Sequence, residues 1–358
     1  MGTRVETADY ALYVGTERGL VRAKPDLHGA YTCEWLGAEL RNVTALVVDR
    51  ADPLRLYAAS RHGIFRSDDA GAHFREITRG LVHKDVWALA QHPASGELFA
   101  GTEPPSIFKS SDSGETWVDC PRVRALEDSL SWTFPRPPHI AHVKHIALSE
   151  NDARLVYGAV EVGWVIRSAD GGDTWETIKR GIAQDAHAVT LVPNRPSMVI
   201  VATGEGLFRS TNGGHTFEVS DTLLDPAGER SARAMGRYMA PVVVHPARPN
   251  VLFTAAAEVP PPFWSTRERG ANSAFYRSGD QGATWRRIVA VGAAGEPVSV
   301  IREAARTTVI DPSDPDRVYF GMTDGSVWVT EDGGATIRKG LRDLRGWISA
   351  IAVSRGGN

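Results

Sequence analysis

Short apolar runs alternate with polar turns along the whole chain, and the same order of runs repeats several times. A repeat opens with an apolar run and a proline turn, as in 43–48 before Asp52-Pro53. A run of small apolar residues follows, as in 56–59, and then a run that ends in an aromatic and a basic residue, as in 63–66. Runs of this length between turn signals predict β-strands.

An octet of the form Ser, any, Asp, any, Gly, any, Thr, aromatic closes each repeat. The Asp can accept backbone N–H groups across a turn, and the Gly can adopt a positive φ without steric cost. The octet therefore predicts a tight hairpin turn between the third and fourth strands of a unit. It occurs six times, with small variations: Ser67–Phe74, Ser110–Trp117, Ser168–Trp175, Ser210–Phe217, Ser278–Trp285 and Thr330–Ile337.

The two ends of the chain supply the remaining strands of a seventh unit. Residues 11–14 and 19–22 match middle strands that lack a first strand, and 347–353 match a first strand with nothing after it. Joining both ends in one sheet closes a ring and removes unpaired edges. We therefore predict an all-β, seven-bladed β-propeller of four-stranded antiparallel blades, with residues 1–358 as a single domain. Six or eight blades are the alternatives, if the inserts hide or mimic strands.

Composition and charge exclude several classes of protein. The 358 residues carry 40 basic and 43 acidic side chains, without the excess of Lys and Arg that a nucleic-acid surface needs. No apolar run reaches the roughly 18 residues of a membrane span. The first ten residues are charged where a signal peptide needs an apolar run, and Cys33 and Cys120 lie in different units. These features predict a cytoplasmic protein without a disulfide, a membrane partner or a nucleic-acid partner.

The octets resemble the Asp-box, or BNR repeat, of sialidase-like propellers. The chain is also similar to the soluble seven-bladed BNR proteins, which include the photosystem assembly factors and the repeat domains of xyloglucan-cleaving glycosidases. This resemblance implies the fold and leaves the activity open. Sialidases use three arginines, a Tyr–Glu pair, an Asp and an Arg-Ile-Pro motif. The motif is absent here, and only Arg237, Tyr238 and Arg306 imitate part of that set.

Acidic residues recur just after the predicted second strands, on the face of the ring opposite the octets. If they converge on the channel mouth, like charges raise one another's pKa or require a cation. The alternative is a turn-forming carboxylate that is repeated with the unit, solvated and inert. The residues at this position are Glu17, Glu103, Glu161, Glu205, Glu258 and Asp324, with Arg61 and His62 in the remaining unit.

Polar residues also open the predicted first strands, which line the channel. Charge at a channel rim is costly unless it is paired or functional. Side chains alternate along a regular strand, so His142 and His145 cannot both face the channel if the strand is regular. His142, His187 and Asp185 are the candidate ligands of a possible divalent metal, with Glu205 as an alternative carboxylate. Ordinary hydrogen-bonded histidines are the other interpretation.

Four inserts, over 121–141, 223–237, 258–273 and 290–303, fall on the same face, where long loops often carry function. We predict an enzyme of hydrolase or lyase type, with a polar small molecule or glycan as ligand. The candidate catalytic residues are Glu161, Glu205, His142, His187, Arg306 and Tyr238. The candidate substrate-binding residues are Glu17, Arg61, His62, Glu103, Asp185, Glu258, Trp264, Asp324 and Trp347.

The alternative function is a binding or assembly propeller without chemistry. Its protein partner would dock on the loop-rich face, with the stiff aromatic segment 260–264 and the arginines Arg267 and Arg269 as contacts. A pocket of convergent His, Glu and Arg side chains would favour the enzyme. A flat face over a channel filled with apolar side chains would favour the scaffold.

Overall fold

Seven antiparallel sheets form the structure, a computed structural model that describes residues 10–25, 30–37, 39–232 and 235–355. We number the sheets as blades 1 to 7, and the strands of each blade from the innermost outward. Blade 1 contains Val43–Val48, Leu56–Ser60, Gly63–Ser67 and Arg75–Glu76; blade 2 contains Asp85–Gln91, Leu98–Glu103, Ser106–Ser110 and Val118–Asp119; blade 3 contains His142–Leu148, Val156–Glu161, Trp164–Ser168 and Glu176–Ile178.

The next three blades repeat this order. Blade 4 contains Ala186–Val192, Arg195–Thr203, Gly206–Ser210 and Glu218–Val219; blade 5 contains Tyr238–Val244, Leu252–Ala257, Ala274–Ser278 and Trp285–Arg287; blade 6 contains Ala305–Ile310, Val318–Met322, Val327–Thr330 and Thr336–Leu341. Three short 3₁₀ helices lie in the inserts, at Pro121–Val123, Glu127–Ser131 and Pro261–Phe263. None of the helices in the described ranges is long and apolar enough to cross a membrane.

Blade 7 closes the ring with strands from both ends of the chain. Its innermost strand, Ile348–Arg355, pairs with Tyr10–Thr16, and Gly19–Pro25 and Tyr31–Leu36 follow outward. The innermost strands of blades 6 and 1 flank Ile348–Arg355 on either side. The predicted seven-bladed propeller, closed by the two chain ends in one blade, is confirmed.

Two blades differ from the prediction because they have five strands. Leu223–Leu224 adds a parallel strand to the outer edge of blade 5, and Val289–Val291 does the same for blade 6. Two of the predicted inserts thus begin by covering an exposed sheet edge, which limits unwanted pairing with other chains. Residues 233 and 234 of the insert over 223–237 lie outside the described residues.

The octets form the predicted hairpin turns between third and fourth strands. In blade 3, Ser168 Oγ donates to Asp170 Oδ1 at 2.8 Å and accepts the Gly172 N–H at 2.8 Å. Asp170 also accepts the Thr174 N–H at 2.8 Å, and Gly172 has φ 96°. Trp175 packs over the turn and donates Nε1–H to the Gly172 carbonyl oxygen at 3.0 Å. We call the side of the ring with these turns the octet face, and the opposite side the loop face.

The core lies between neighbouring blades, where apolar side chains from facing sheets fill the space. Large aromatic side chains dominate it because each buries a large apolar area. Trp285 is fully buried between blades 4 and 5, Tyr157 between blades 3 and 4, and Phe253 between blades 5 and 6. The channel therefore does not need apolar side chains of its own to hold the ring together.

Each innermost strand carries a β-bulge near the loop face, a feature that the sequence analysis did not predict. The pairing with the second strand skips one residue in six blades and two residues in blade 5. A bulge breaks the alternation of side chains and re-aims the extra one. We call the skipped positions the bulge residues: Thr44, Trp87, Lys144, His187, Ala240 with Pro241, Arg306 and Ser349.

Candidate functional site

A cavity of about 240 Å³ lies in the channel at its loop-face end, and all the bulge residues line it. Four of its lining side chains are basic or imidazole groups: Lys144, His145, His187 and Arg306. A second cavity of about 350 Å³ follows toward the octet face, and His145 lines both. The mouth of the channel is thus polar and accessible, rather than plugged by apolar side chains.

His142 and Glu161 lie at the centre of a buried charged cluster at this mouth. They are direct partners across the first two strands of blade 3, and His142 Nε2 lies 2.8 Å from Glu161 Oε2. Lys144 donates to the same oxygen at 2.6 Å. Burial opposes ionisation of Glu161, but Lys144, His142 and His187 together outweigh it and hold the pKa of Glu161 well below its usual range. Glu161 is therefore a buried, ionised carboxylate.

The cluster extends toward blade 2 through Glu103. Glu103 Oε2 lies 3.4 Å from His142 Nδ1, and its other oxygen lies 3.6 Å from Arg61 Nη2. Arg61 also binds Asp85 at 2.6 Å. Burial raises the pKa of Asp85 although the Arg61 guanidinium opposes this shift. Trp87 covers the cluster, with its ring stacked on His142 at 3.7 Å between centroids.

On the other side the cluster reaches His187 and Asp185 of blade 4. His187 Nε2 lies 3.2 Å from Asp185 Oδ2 and 3.7 Å from Glu161 Oε1. The other ring nitrogen, Nδ1, lies 2.6 Å from the carbonyl oxygen of Met239. The His187 side chain is completely buried, and in the described chain its Nε2 and Asp185 Oδ1 have no hydrogen-bond partner.

Aromatic residues form the wall next to His187. The ring of Tyr238 lies 4.8 Å from His187 and 5.7 Å from Trp264, whose Nε1–H is fixed by the Val259 carbonyl oxygen at 2.7 Å. Further round the mouth, the guanidinium of Arg306 lies 4.9 Å above the Trp347 ring. Burial raises the pKa of Tyr238, so its hydroxyl stays protonated at neutral pH.

The six recurring carboxylates do not all join this cluster. Glu103 and Glu161 are the last residues of their second strands and pair with Asp85 and His142, so they face the channel mouth. The other four lie in the turn beyond the strand end. Asp324 there accepts hydrogen bonds from the Ser326 N–H at 2.9 Å and from Lys339 at 3.2 Å. Glu258 pairs with Arg267 at 2.9 Å in its own insert. The remaining exposed residues at these turns are Glu17, His62, Glu205 and Asp324.

The innermost strand of blade 3 is not regular, so the alternation of side chains expected for His142 and His145 does not apply to it. The pairing jumps from Val143 to His145, and Lys144 is the bulge residue. As a result Lys144 and His145, which are adjacent in sequence, both line the cavity. His142 belongs to the charged cluster instead.

Sequence reasoning missed Trp87, Phe134 and the role of the Met239 carbonyl. Phe134 comes from the insert over 121–141 and meets the edge of His142 at 5.2 Å between centroids. A signal for Trp87 was present: it follows Asp85 by the same step that separates Lys144 from His142. Aligning the units at that position reveals the whole ring of bulge residues.

Comparison with known proteins supports the fold and finds two kinds of relative. No family model matches the chain. A probable oligoxyloglucan-reducing end-specific xyloglucanase of Neosartorya fischeri is 25% identical over 210 residues, which are 50% of this chain and 24% of that protein. The photosystem II assembly lipoprotein Ycf48 of Synechococcus is 26% identical over 150 residues, 41% of this chain and 40% of that protein. The matching part spans less than half the length of either relative.

Solved structures give the same two groups. The GH74 xyloglucanase from Xanthomonas campestris has a TM-score of 0.67 at 19% identity, over 98% of this chain and 53% of that one. Ycf48 bound to D1 peptide has a TM-score of 0.55 at 13% identity, over 98% of this chain and 97% of that one. The chain is therefore a seven-bladed β-propeller similar to GH74 xyloglucanases and to Ycf48, and at these identities the structural likeness shows the fold alone.

Proposed function

We propose that the chain is an enzyme of hydrolase or lyase type that acts on a polar small molecule or glycan at the loop-face mouth of its channel. The convergence of Glu161, Asp185 and His187 beside a polar cavity carries this proposal. Burying ionisable groups costs free energy, and a channel with a purely structural role does not need such groups. Buried titratable groups around a cavity are typical of catalytic sites.

The three groups are suited to activating a water molecule or a substrate hydroxyl. Two carboxylates and an imidazole around one point can accept a proton, and an ionised Glu161 can stabilise positive charge that develops nearby. Lys144 and His142 hold one oxygen of Glu161, which leaves its Oε1 directed toward His187. The arrangement therefore fixes the reacting groups before substrate binds, which lowers the reorganisation needed in the transition state.

The walls of the mouth supply groups for binding a polar ligand. Trp347, Tyr238 and Trp264 offer aromatic faces of the kind that pack against sugar rings and other flat ligands. Arg306 lines the cavity, and its Nε has no hydrogen-bond partner in the described part of the chain. It is available to a carboxylate or hydroxyl of the ligand. The similarity to xyloglucanases favours a glycan as the first substrate class to test.

Turnover of a glycan panel tests this proposal. Xyloglucan oligosaccharides and other neutral and acidic oligosaccharides are incubated with the protein, and products are measured by mass spectrometry. We expect His187→Ala to lower turnover by about 100-fold or more, the usual size of an acid–base contribution. His215→Ala, on the octet face of the same blade, serves as the matched control. Absence of turnover on the whole panel, or full activity of His187→Ala, would overturn the assignment.

A second candidate, a non-catalytic assembly propeller, is supported by apolar side chains on the loop face. Leu130 is 92% exposed and Phe263 is 52% exposed, and both come from inserts on that face. Arg267 and Arg269 lie beside Phe263 in sequence and offer polar contacts. The solved Ycf48 relative carries a D1 peptide, which favours an extended peptide as partner.

Variants separate the two candidates. Leu130→Ser together with Phe263→Ser removes apolar surface without altering the cluster around His187. Binding to an immobilised library of extended peptides should disappear in this double variant if the chain is an assembly propeller, while His187→Ala should bind normally. The reverse dependence, with turnover lost only in His187→Ala, supports the enzyme.

The finer assignments of class and setting are also proposals. We propose that the six octets place the chain in the BNR/Asp-box class, because the turn of blade 3 has hydrogen bonds that recur in the others, such as those around Asp112 and Asp280. We further propose that residues 1–358 form one domain that works in the cytoplasm.

A further inference from the structure

We propose that Glu161, Asp185 and His187 bind one divalent first-row metal ion, with Zn²⁺ as the reference ion, at the channel mouth. This deepens the proposed function, because the ion would be the means by which the site activates water. One ligand atom from each residue lies within 4.8 Å of the other two. This set differs from the ligands predicted from the sequence, which had His142 in place of Glu161. In the structure, His142 instead contacts the far oxygen of Glu161.

The protonation of His187 is the first argument. Its Nδ1 lies 2.6 Å from the Met239 carbonyl oxygen, which can only accept a hydrogen bond, so Nδ1 carries the proton. In the neutral ring the lone pair of Nε2 then faces oxygens of Asp185 and Glu161. A lone pair directed at two carboxylates is repelled unless a cation lies between them. A ring N–H bound to a backbone carbonyl is also the usual outer contact of a metal-ligating histidine.

The two separations from His187 suit a metal ion better than a shared proton. With metal–ligand bonds of about 2.0–2.1 Å, ligands of a tetrahedral zinc lie about 3.4 Å apart. The two separations from His187 Nε2, 3.2 Å to Asp185 and 3.7 Å to Glu161, bracket that value. Neither oxygen meets the geometry of a hydrogen bond from an Nε2–H, since Nε2 has no such partner. In a metal site the other ligands lie off the lone-pair axis of the ligating ring nitrogen, as these two oxygens do around His187 Nε2.

The surroundings hold each carboxylate with one oxygen free. Lys144 and His142 both bind Oε2 of Glu161, so Oε1 remains for the ion. Asp185 directs Oδ2 toward His187 Nε2 at 3.2 Å, and its buried Oδ1 has no hydrogen-bond partner in the described part of the chain. Gly204 leaves the space that the Asp185 carboxylate occupies, because a β-carbon at position 204 would lie 2.2 Å from Asp185 Oδ2. The site is therefore built around these oxygens.

The charge of the cluster also calls for a cation. Four carboxylates lie in the chain of contacts that runs from Arg61 to Asp185, and two permanent cations, Arg61 and Lys144, accompany them. The carboxylates thus outnumber the permanent cations of the cluster, and a divalent ion between Glu161 and Asp185 would reduce the repulsion between them. Of the three proposed ligands, His187 lines the cavity, so the site lies next to it. Three protein ligands and one open position are typical of catalytic zinc, which lowers the pKa of its bound water to about 7.

Direct metal binding tests the proposal independently of turnover. The full chain is stripped with a chelator and titrated with Zn²⁺ by calorimetry, and Co²⁺ provides a visible spectrum of the coordination. We expect one ion per chain in the wild type, a rise in Tm on addition of Zn²⁺, and an affinity lowered 100-fold or more in His187→Ala and Asp185→Asn. His215→Ala is the matched control and should bind as the wild type does.

Gly204→Ala provides a second variant that changes no ligand. Its new methyl group meets Asp185 Oδ2, so we expect affinity for Zn²⁺ to fall about 10-fold while the protein stays folded by circular dichroism. The proposal is overturned if the stripped wild type binds neither Zn²⁺ nor Mn²⁺ below millimolar concentration, or if His187→Ala and Asp185→Asn bind as tightly as the wild type. Turnover without metal binding would remove the ion and leave the proposed enzyme. Metal binding without turnover would support the ion and remove the proposed enzyme.

Discussion

Arg66 of blade 1 donates a hydrogen bond from Nη1 to the carbonyl oxygen of Ser113, in the octet of blade 2, at 3.1 Å. Ser113 is the fourth residue of its octet, and its φ of 59° turns this carbonyl toward the neighbouring blade. The same contact recurs from Arg22 to Ala70, from Lys109 to Gly171 and from Arg209 to Gln281. The octets therefore join neighbouring blades as well as closing their own hairpins.

Removing this contact should weaken the seam between blades 1 and 2. We expect Arg66→Met to lower the free energy of unfolding by about 1–2 kcal/mol, since a buried carbonyl loses a charged donor. Urea unfolding at neutral pH measures this loss in the free energy of unfolding. Arg66 also pairs with the exposed Glu115 at 2.8 Å, so Glu115→Gln is the control and should cost much less, because exposed ion pairs contribute little. Equal losses in the two variants would mean that the carbonyl contact contributes nothing.

The carboxylate of an octet should make stability sensitive to acid. Hydrogen bonds from Thr174 and Ser168 lower the pKa of Asp170 to about 2 from an ordinary 3.8. The unfolded chain therefore takes up this proton at higher pH than the folded protein does, and the contribution is present above about pH 4 and lost as the pH falls toward 2.

Substitutions of Asp170 separate its charge from its hydrogen bonds. Asp170→Ala should cost about 2 kcal/mol at pH 7, because the turn loses its acceptor. Asp170→Asn should cost less and should flatten the pH dependence between 4 and 2. Asn212 already fills this position in blade 4, where its Oδ1 accepts the Thr216 N–H at 3.0 Å. An Asn variant as unstable as the Ala variant at pH 7 would show that the charge itself is required.

His145 should make the protein less stable in mild acid. Burial lowers the pKa of His145 to about 4 from 6.5, although a hydrogen bond to the Val189 backbone acts against the shift. The unfolded chain binds this proton first, so stability falls as the pH drops from about 6.5 to 4, with a slope of up to ~1.4 kcal/mol per pH unit. His145→Gln should make that slope shallower in unfolding titrations. His215→Gln should leave it unchanged, and equal slopes in all three proteins would contradict this account.

Closure of blade 7 should govern cooperative unfolding. A chain that ends at Gly346 lacks the strand that pairs with Tyr10–Thr16, and we expect it to lose its single sharp thermal transition. The control is a circular permutant. Tyr10 pairs with Arg355, so a short glycine linker can join Arg355 directly to Tyr10. New termini can then open in the exposed turn 94–96. The permutant should unfold as sharply as the wild type, whereas sharp unfolding of the truncated chain would show that the ring does not depend on closure.

The architecture was predictable because its signals are local and repeated. The octet needs Ser, Asp, Gly and Thr at fixed positions, so the turn is visible in the sequence. The two end segments predicted the closing blade because each lacks the strands that the other supplies. The extra outer strands at Leu223–Leu224 and Val289–Val291 gave no such signal, since two or three residues are too short to show alternation.

The site was only partly predictable because it depends on where a strand stops. The sequence pattern aligns Glu161 with Glu205, but the strand register matches Glu161 with Gly204 and puts Glu205 one residue further along. Glu161 therefore ends its strand, whereas Glu205 lies in the turn beyond the second strand of blade 4. A difference of one or two residues in strand length decides which carboxylate turns inward. The bulges were hard to recognise for a related reason: no residue type is shared at Trp87, Lys144 and His187, so only an alignment of the units by position reveals them.

That independence of backbone and side chain has an evolutionary consequence. The bulges direct side chains from all seven blades into one small cavity. No two blades of this chain have the same residue type at the bulge. Because the backbone fixes where a bulge residue points, the residue type at most of these positions can change without moving the strands. Thr44 and His187 are exceptions, since each also contacts a backbone carbonyl oxygen of the next blade, Val86 and Met239 respectively, at 2.6 Å. Proteins that inherit this ring can thus diverge in what they recognise through a few substitutions at the other bulge positions.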